Sequence, residues 1–139
     1  MHLVLSVLTA ARAIENAAAR VFKPHGLTLA RFNVLTLLSR NADGMRASDL
    51  ASALIVDPSN VTGLLKRMML EGLLLEIENE KDRRQYIVGM SPKGRAVWQK
   101  ANLDYEKYLE LLLAPLPPAG LALAIDVLGQ LEDGAAKLP

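Results

Sequence analysis

Ser59, Asn60 and Thr62 are hydrogen-bonding side chains clustered at the start of a segment that opens Asp57-Pro58. Lys66 and Arg67 follow one to two helical turns later. Asp57 is a good helix N-cap, and Pro58 suits the first helical position, where a missing N–H costs nothing. Val61, Leu64, Leu65 and Met68 recur at helical spacing, which leaves Ser59, Asn60, Gly63, Lys66 and Arg67 mostly outside. Such a helix offers donors, acceptors, a positive dipole end and two cations. That is the chemistry of base edges and phosphates in a DNA major groove. The plainer alternative is an ordinary solvated helix face.

A charged tip follows. Gly72 ends the helix. Leu75 and Ile77 alternate with Glu76 and Glu78, the pattern of a half-buried strand with the two apolar residues inward. Tyr86–Met90 is the partner strand, and residues 79–85 form the tip, with Lys81-Asp82-Arg83-Arg84-Gln85 in it. Arg84 has the charge and reach to enter a minor groove, whose negative potential favours a guanidinium. Asp82 can hold Arg84 by a charge-assisted hydrogen bond, and Arg83 suits a phosphate. A solvated charged turn is the alternative. Helix, hairpin and charged tip in this order predict a winged helix-turn-helix, with a DNA-binding role for Ser59, Asn60, Thr62, Lys66, Arg67, Asp82, Arg83 and Arg84.

Other chemistries find little support. There is no cysteine, which removes disulfides, thiolate metal sites and thiol nucleophiles and suits a cytoplasmic protein. His2 and His25 are far apart and make a poor metal site; His25, before Gly26 at a helix break, reads as a C-terminal cap. No serine has a plausible histidine partner, no glycine-rich phosphate loop follows a strand, and no paired carboxylates stand out. No enzyme, cofactor or metal is expected. Trp98, Phe22 and Phe32 lie on helical stripes and read as core before they read as a ligand pocket.

The remaining elements must hold this helix and tip. Val4, Val7, Leu8, Ala11, Ile14, Ala18, Val21 and Phe22 predict a first helix over residues 3–22. No Lys or Arg precedes its apolar start, so it reads as an amphipathic helix and not as a signal peptide. Lys23-Pro24-His25-Gly26 breaks it. Thr28 caps a second helix that buries Phe32, Leu35 and Leu38. A short helix is expected around Ala47–Leu54. Ser91-Pro92 repeats the cap logic of Asp57-Pro58 and opens a long helix bearing Val97, Trp98, Ala101, Tyr105, Tyr108, Leu109 and Leu112. Pro115, Pro117 and Pro118 stop it. The last helix, near Ala119–Ala136, is apolar over most of its circumference, too much so for a monomer surface. At 139 residues, 51% hydrophobic and 22% charged, the chain fits one globular domain, and no apolar run is long enough to span a membrane. Net charge is only +1, so any DNA affinity must be local.

With these pieces in order, the chain resembles the MarR family of bacterial winged-helix regulators. Gly26-Leu27-Thr28 with Phe32, Val34, Leu35 and Leu38 is similar to the family's second-helix signature. Ser59 through Arg67 is similar to its recognition helix, and Gly72-Leu73-Leu74 to the exit from that helix. Asp82-Arg83-Arg84 with Val88, Ser91 and Gly94 is similar to the wing and the helix after it. The resemblance implies a mostly α fold with a small β-hairpin wing. It places a winged helix-turn-helix over residues 28–91 and a helical dimerisation part over residues 1–22 and 92–139. It implies a homodimer whose terminal helices interlock, double-stranded DNA as partner, and a small aromatic or phenolic effector near the junction of the two parts.

Departures from the pattern concern charge. Glu76 and Ile77 stand where the family has Arg, and Arg46 where it often has a Thr or Ser cap. Residues 76–84 hold Glu76, Glu78, Glu80 and Asp82 against Lys81, Arg83 and Arg84. That balance weakens attraction to phosphate. The expectation is a ligand-responsive, operator-binding repressor acting as a dimer. The rival is a winged-helix protein–protein adaptor or antirepressor with weak DNA affinity.

Overall fold

The computed structural model describes residues 1–54, 58–78, 82 and 86–138, with the backbone alone at Pro58 and Ser59. The chain divides into two units, Met1–Tyr105 and Glu106–Pro139.

In the first unit, α1 (His2–Phe22) ends in a short 3-10 turn at Lys23–His25, and Gly26 closes the break with φ 69°. Then come α2 (Leu29–Ser39), β1 (Met45–Arg46), α3 (Ala47–Leu54) and α4 (Pro58–Leu70). They are followed by β2 (Leu74–Ile77), β3 (Ile87–Met90) and α5 (Pro92–Leu113), whose N-terminal part completes this unit. Thr28 caps α2 as expected, its Oγ1 accepting from the Arg31 N–H at 3.3 Å. α4 begins at Pro58, as the sequence predicts, whereas the expected cap Asp57 lies outside the described residues.

The core joins residues from every helix of the unit. Phe22, Leu35, Leu38, Leu50, Leu65, Met68 and Val88 are fully buried. Phe22 and Phe32 stack at 4.3 Å between centroids, with Tyr105 tilted against both at 5.1 and 5.2 Å. The aromatic residues of α1 and α2 are therefore core. Trp98 packs at the core edge, and its indole N–H donates to Thr36 Oγ1 at 3.1 Å.

Three results differ from the sequence reading. The hairpin has a third antiparallel strand, since β1 pairs with β3 to give the order β1-β3-β2. Leu75 and Ile77 do share one face, and Ile77 is half-buried there as expected, but Leu75 is 38% exposed, while Leu74 and Val88 supply the buried side chains. Leu75 and Ile77 fill the space over Gly89 that a side chain there would need. His25 does not cap its helix through its ring. Its Nε2 lies 2.9 Å from Asp104 Oδ2 of α5, a tie across 79 positions of sequence.

In the second unit α5 runs to its end at Leu113 and a turn leads to α6 (Pro118–Ala136), where Pro117 occupies the N-cap. α6 has no buried residue: Leu123, Ile125 and Leu128 are 64%, 71% and 47% exposed. Among the described residues no single helix is both long and apolar enough to cross a membrane.

Candidate nucleic-acid interface

Helix α4 is seated by its apolar residues. Val61, Leu65 and Met68 are buried, and Leu64 is half-buried beside them. Residues advance about 100° each around a helix. Gly63, Lys66 and Leu70 therefore point away from the core, with Thr62 on one flank and Asn60 and Arg67 on the other. Asn60, Thr62, Lys66 and Arg67 are all exposed. Ser59 lies in the first turn of α4, but its side chain is outside the described residues.

The far end of α4 is clamped. Gly72 adopts φ 75°, the left-handed conformation that reverses the chain, and the Gly72 and Leu73 N–H groups return to the Met69 and Met68 carbonyls at 2.9 Å. Ser91 then ties this turn to α5. Its hydroxyl donates to the Gly72 carbonyl at 2.6 Å and accepts from the Gly94 N–H at 2.9 Å. Gly94 has to be glycine because a Cβ would collide with the Leu73 carbonyl. Lys93 Nζ donates to the Glu71 carbonyl at 2.7 Å. Arg31 of α2 grips the Glu71 carboxylate with two bonds of 2.7 Å. The outward face of α4 is thus carried on a rigid mount.

Asn60 and Arg67 have a second neighbourhood. With Glu15 and Asn16 of α1 and Asn33 of α2 they line a cleft of about 750 Å³, whose apolar wall includes Leu29, Leu54 and Leu64. Sequence reasoning did not find this cleft. Glu15, Asn16 and Asn33 are only some of the polar residues of α1 and α2, and nothing in their spacing marks them as facing one cleft.

Beside α4 stands the sheet. Glu76 and Glu78 are exposed on the β2 side, and Arg46 ends β1 immediately before α3. Asp82 is exposed; Arg83 and Arg84 lie outside the described residues, and so does the expected grip of Asp82 on Arg84.

The MarR family model matches residues 27–86, which run from just before α2 to the residue before β3. A homoprotocatechuate degradative operon repressor of Escherichia coli is 30% identical over 110 residues, covering 77% of this chain and 73% of that protein. The chain belongs to the MarR family. The transcriptional activatory protein BadR of Rhodopseudomonas palustris is 38% identical over 91 residues, covering 64% of this chain and about half, 52%, of its own length. Among solved structures, the transcriptional regulator MosR of M. tuberculosis in complex with DNA superposes with TM-score 0.76 at 27% identity. It covers 97% of this chain and 98% of that one. As a MarR-family member the chain is a DNA-binding transcription regulator.

Proposed function

We propose that this MarR-family chain works in the cytoplasm as a dimeric, ligand-responsive repressor of a near-palindromic operator, each copy laying α4 in the major groove. The observation that carries this reading is the outer face of α4. Thr62, Lys66 and Arg67 are exposed on a helix whose other side is buried through Val61, Leu65 and Met68. Ser59, Asn60 and Thr62 read base edges near the helix start; Lys66 and Arg67 meet guanine or phosphate. Arg84 enters the minor groove with Asp82 as its holder, and Arg83 meets phosphate. Dimerisation covers the apolar surface of α6 and the exposed Leu3, Val4, Leu5 and Leu8 of α1.

The effector site in this reading is the cleft beside α4. Arg67 can pair with a carboxylate, Asn16 and Asn33 can bond a hydroxyl, and Leu29, Leu54 and Leu64 can pack a ring. A small phenolic acid matches that set of groups. The name of the E. coli relative supports the same chemical class and the repressor assignment.

Selection of bound sequences from random duplex DNA tests the core of the proposal: enrichment of a palindrome is expected, and no enrichment refutes it. Lys66→Ala should shallow the dependence of log affinity on log salt by about one unit for each copy, about two for the dimer.

A second reading, an adaptor or antirepressor with weak DNA affinity, is favoured by the exposed Glu76 and Glu78. The two readings separate on Glu76→Arg. In the repressor reading the variant binds both generic and operator duplexes more tightly, most of all at low salt. An adaptor shows no measurable salt slope in either form.

A further inference from the structure

We propose that Gly63 forms an apolar notch at the centre of the α4 face and that the notch takes the C5-methyl group of a thymine. This rests on the reading of α4 as the helix that faces DNA.

Gly63 lies in the middle of a 13-residue helix, where glycine is the least favourable residue after proline. Gly72 has its left-handed φ and Gly94 its close approach to Leu73, but the fold gives Gly63 no such reason. Its φ is ordinary. Among the described residues, the atom nearest to a Cβ built there is Arg67 Nη1 at 3.8 Å, ordinary van der Waals contact. Alanine would fit and would favour the helix. The chain carries a glycine here at its own cost, on the surface it presents to a partner. Gly129 and Gly134 of α6 share this property, with nothing within 4 Å of a Cβ. They sit on α6, whose apolar surface, like that of the start of α1, is uncovered in a single chain.

The position decides what the notch can take. Gly63 is two residues from Val61 and two from Leu65, so it projects about 200° from each buried neighbour. Thr62, Lys66 and Arg67 rise around it as a polar rim. The floor is a bare Cα, and the N–H and C=O of residue 63 belong to the helix ladder. A group entering the notch therefore receives no hydrogen bond from it. The N7, O6, O4, N6 and N4 atoms of base edges would be left unpaired there. The thymine methyl needs no such bond, and, larger than the bare C5–H of cytosine, it gains most by leaving water.

The test uses the intact dimer and a duplex enriched from a random pool by the wild-type protein, together with copies in which each thymine is replaced in turn by uracil. Gly63→Ala should melt roughly 2–5 °C higher than wild type yet bind the duplex about tenfold more weakly, because its methyl occupies the notch. For the wild type, uracil at one thymine in a single half-site should cost about fourfold, the worth of one methyl group, and in a duplex with uracil at the matching thymine of both half-sites about fifteenfold. The same uracil duplex should restore binding by Gly63→Ala, since removing one methyl makes room for the other. Unchanged affinity for Gly63→Ala, or a loss that no uracil position rescues, overturns the notch. Lys66→Ala separates this from the wider reading. If Lys66→Ala weakens binding while Gly63→Ala does not, only the notch falls. If neither changes affinity, α4 does not face DNA, and the notch falls with the proposed function.

Discussion

The two units of the chain bury their apolar residues differently. In Met1–Tyr105, side chains from α1 to the first part of α5 meet in one core, with Phe22, Leu35, Leu38, Leu50, Leu65, Met68 and Val88 shut away from water. In Glu106–Pro139 no described residue is buried, although α6 carries Leu121, Leu123, Ile125, Leu128 and Leu131. The first unit has the burial to define its own shape. The second has the composition of a core element without the core. Its sequence makes sense as one side of an interface, and the exposed apolar start of α1 has the same character.

The contrast breaks most visibly under two substitutions chosen as a pair. Leu128→Asp puts a carboxylate into the surface that a second copy should cover, at a cost of about 3 kcal/mol or more for each copy. Sedimentation should show monomer where the wild type shows dimer, and thermal unfolding should lose its cooperativity. Leu35→Ala removes buried methyl groups from the first unit and should cost about 2–5 kcal/mol of stability. At a temperature where the variant is still folded it should remain dimeric. A wild type that is a well-folded monomer at micromolar concentration would show that α6 is not an interface helix.

A smaller effect is expected at Ser91, where α4 is fastened to α5. Its hydroxyl both donates to the Gly72 carbonyl and accepts from the Gly94 N–H. Ser91→Ala leaves both partners short and should cost about 1–3 kcal/mol. The loss should appear in chemical denaturation with the dimer intact. Operator affinity should fall as well, because the exit of α4 is set by this turn. Lower stability with full operator affinity would mean that the cap supports α5 and leaves α4 unaffected.

The parts legible in sequence were those fixed by local chemistry. Thr28 and Ser91 cap their helices, Pro58 opens α4, Gly72 ends it, and the period of Val61, Leu65 and Met68 gave its buried side. The parts that were not legible depend on residues far apart in the chain. β1 is two residues long and exists because β3 offers it a free edge. The run Leu73-Leu74-Leu75 satisfies either face of a strand, and the choice fell to Leu74 once the Gly72 turn fixed its entry. His25 looked like a cap because its partner Asp104 is 79 residues away. At the candidate site, the exposed α4 residues were legible from their spacing. The cleft beside Asn60 and Arg67 was not, since four helices contribute to it.

The smallest expected effect tests whether the first unit owes its form to its core or to its surface pairs. Arg31 and Glu71 form its best-made ion pair, a two-pronged grip with both bonds at 2.7 Å. The geometry invites the view that this pair locks α2 to the end of α4. The Arg31 side chain is 18% exposed and that of Glu71 45%, so water still reaches the carboxylate and screens the attraction. Ordering two long side chains opposes it further. A double-mutant cycle with Arg31→Ala, Glu71→Ala and both together should therefore give a coupling of only about 0.5–1 kcal/mol, reduced in high salt. Arg31→Ala alone should lose slightly more, because its methylenes also cover apolar surface. A coupling of several kcal/mol would shift the weight from the core to this clasp. It would also make the placement of α4 depend on ionic strength, which would then enter every measurement of its affinity for DNA.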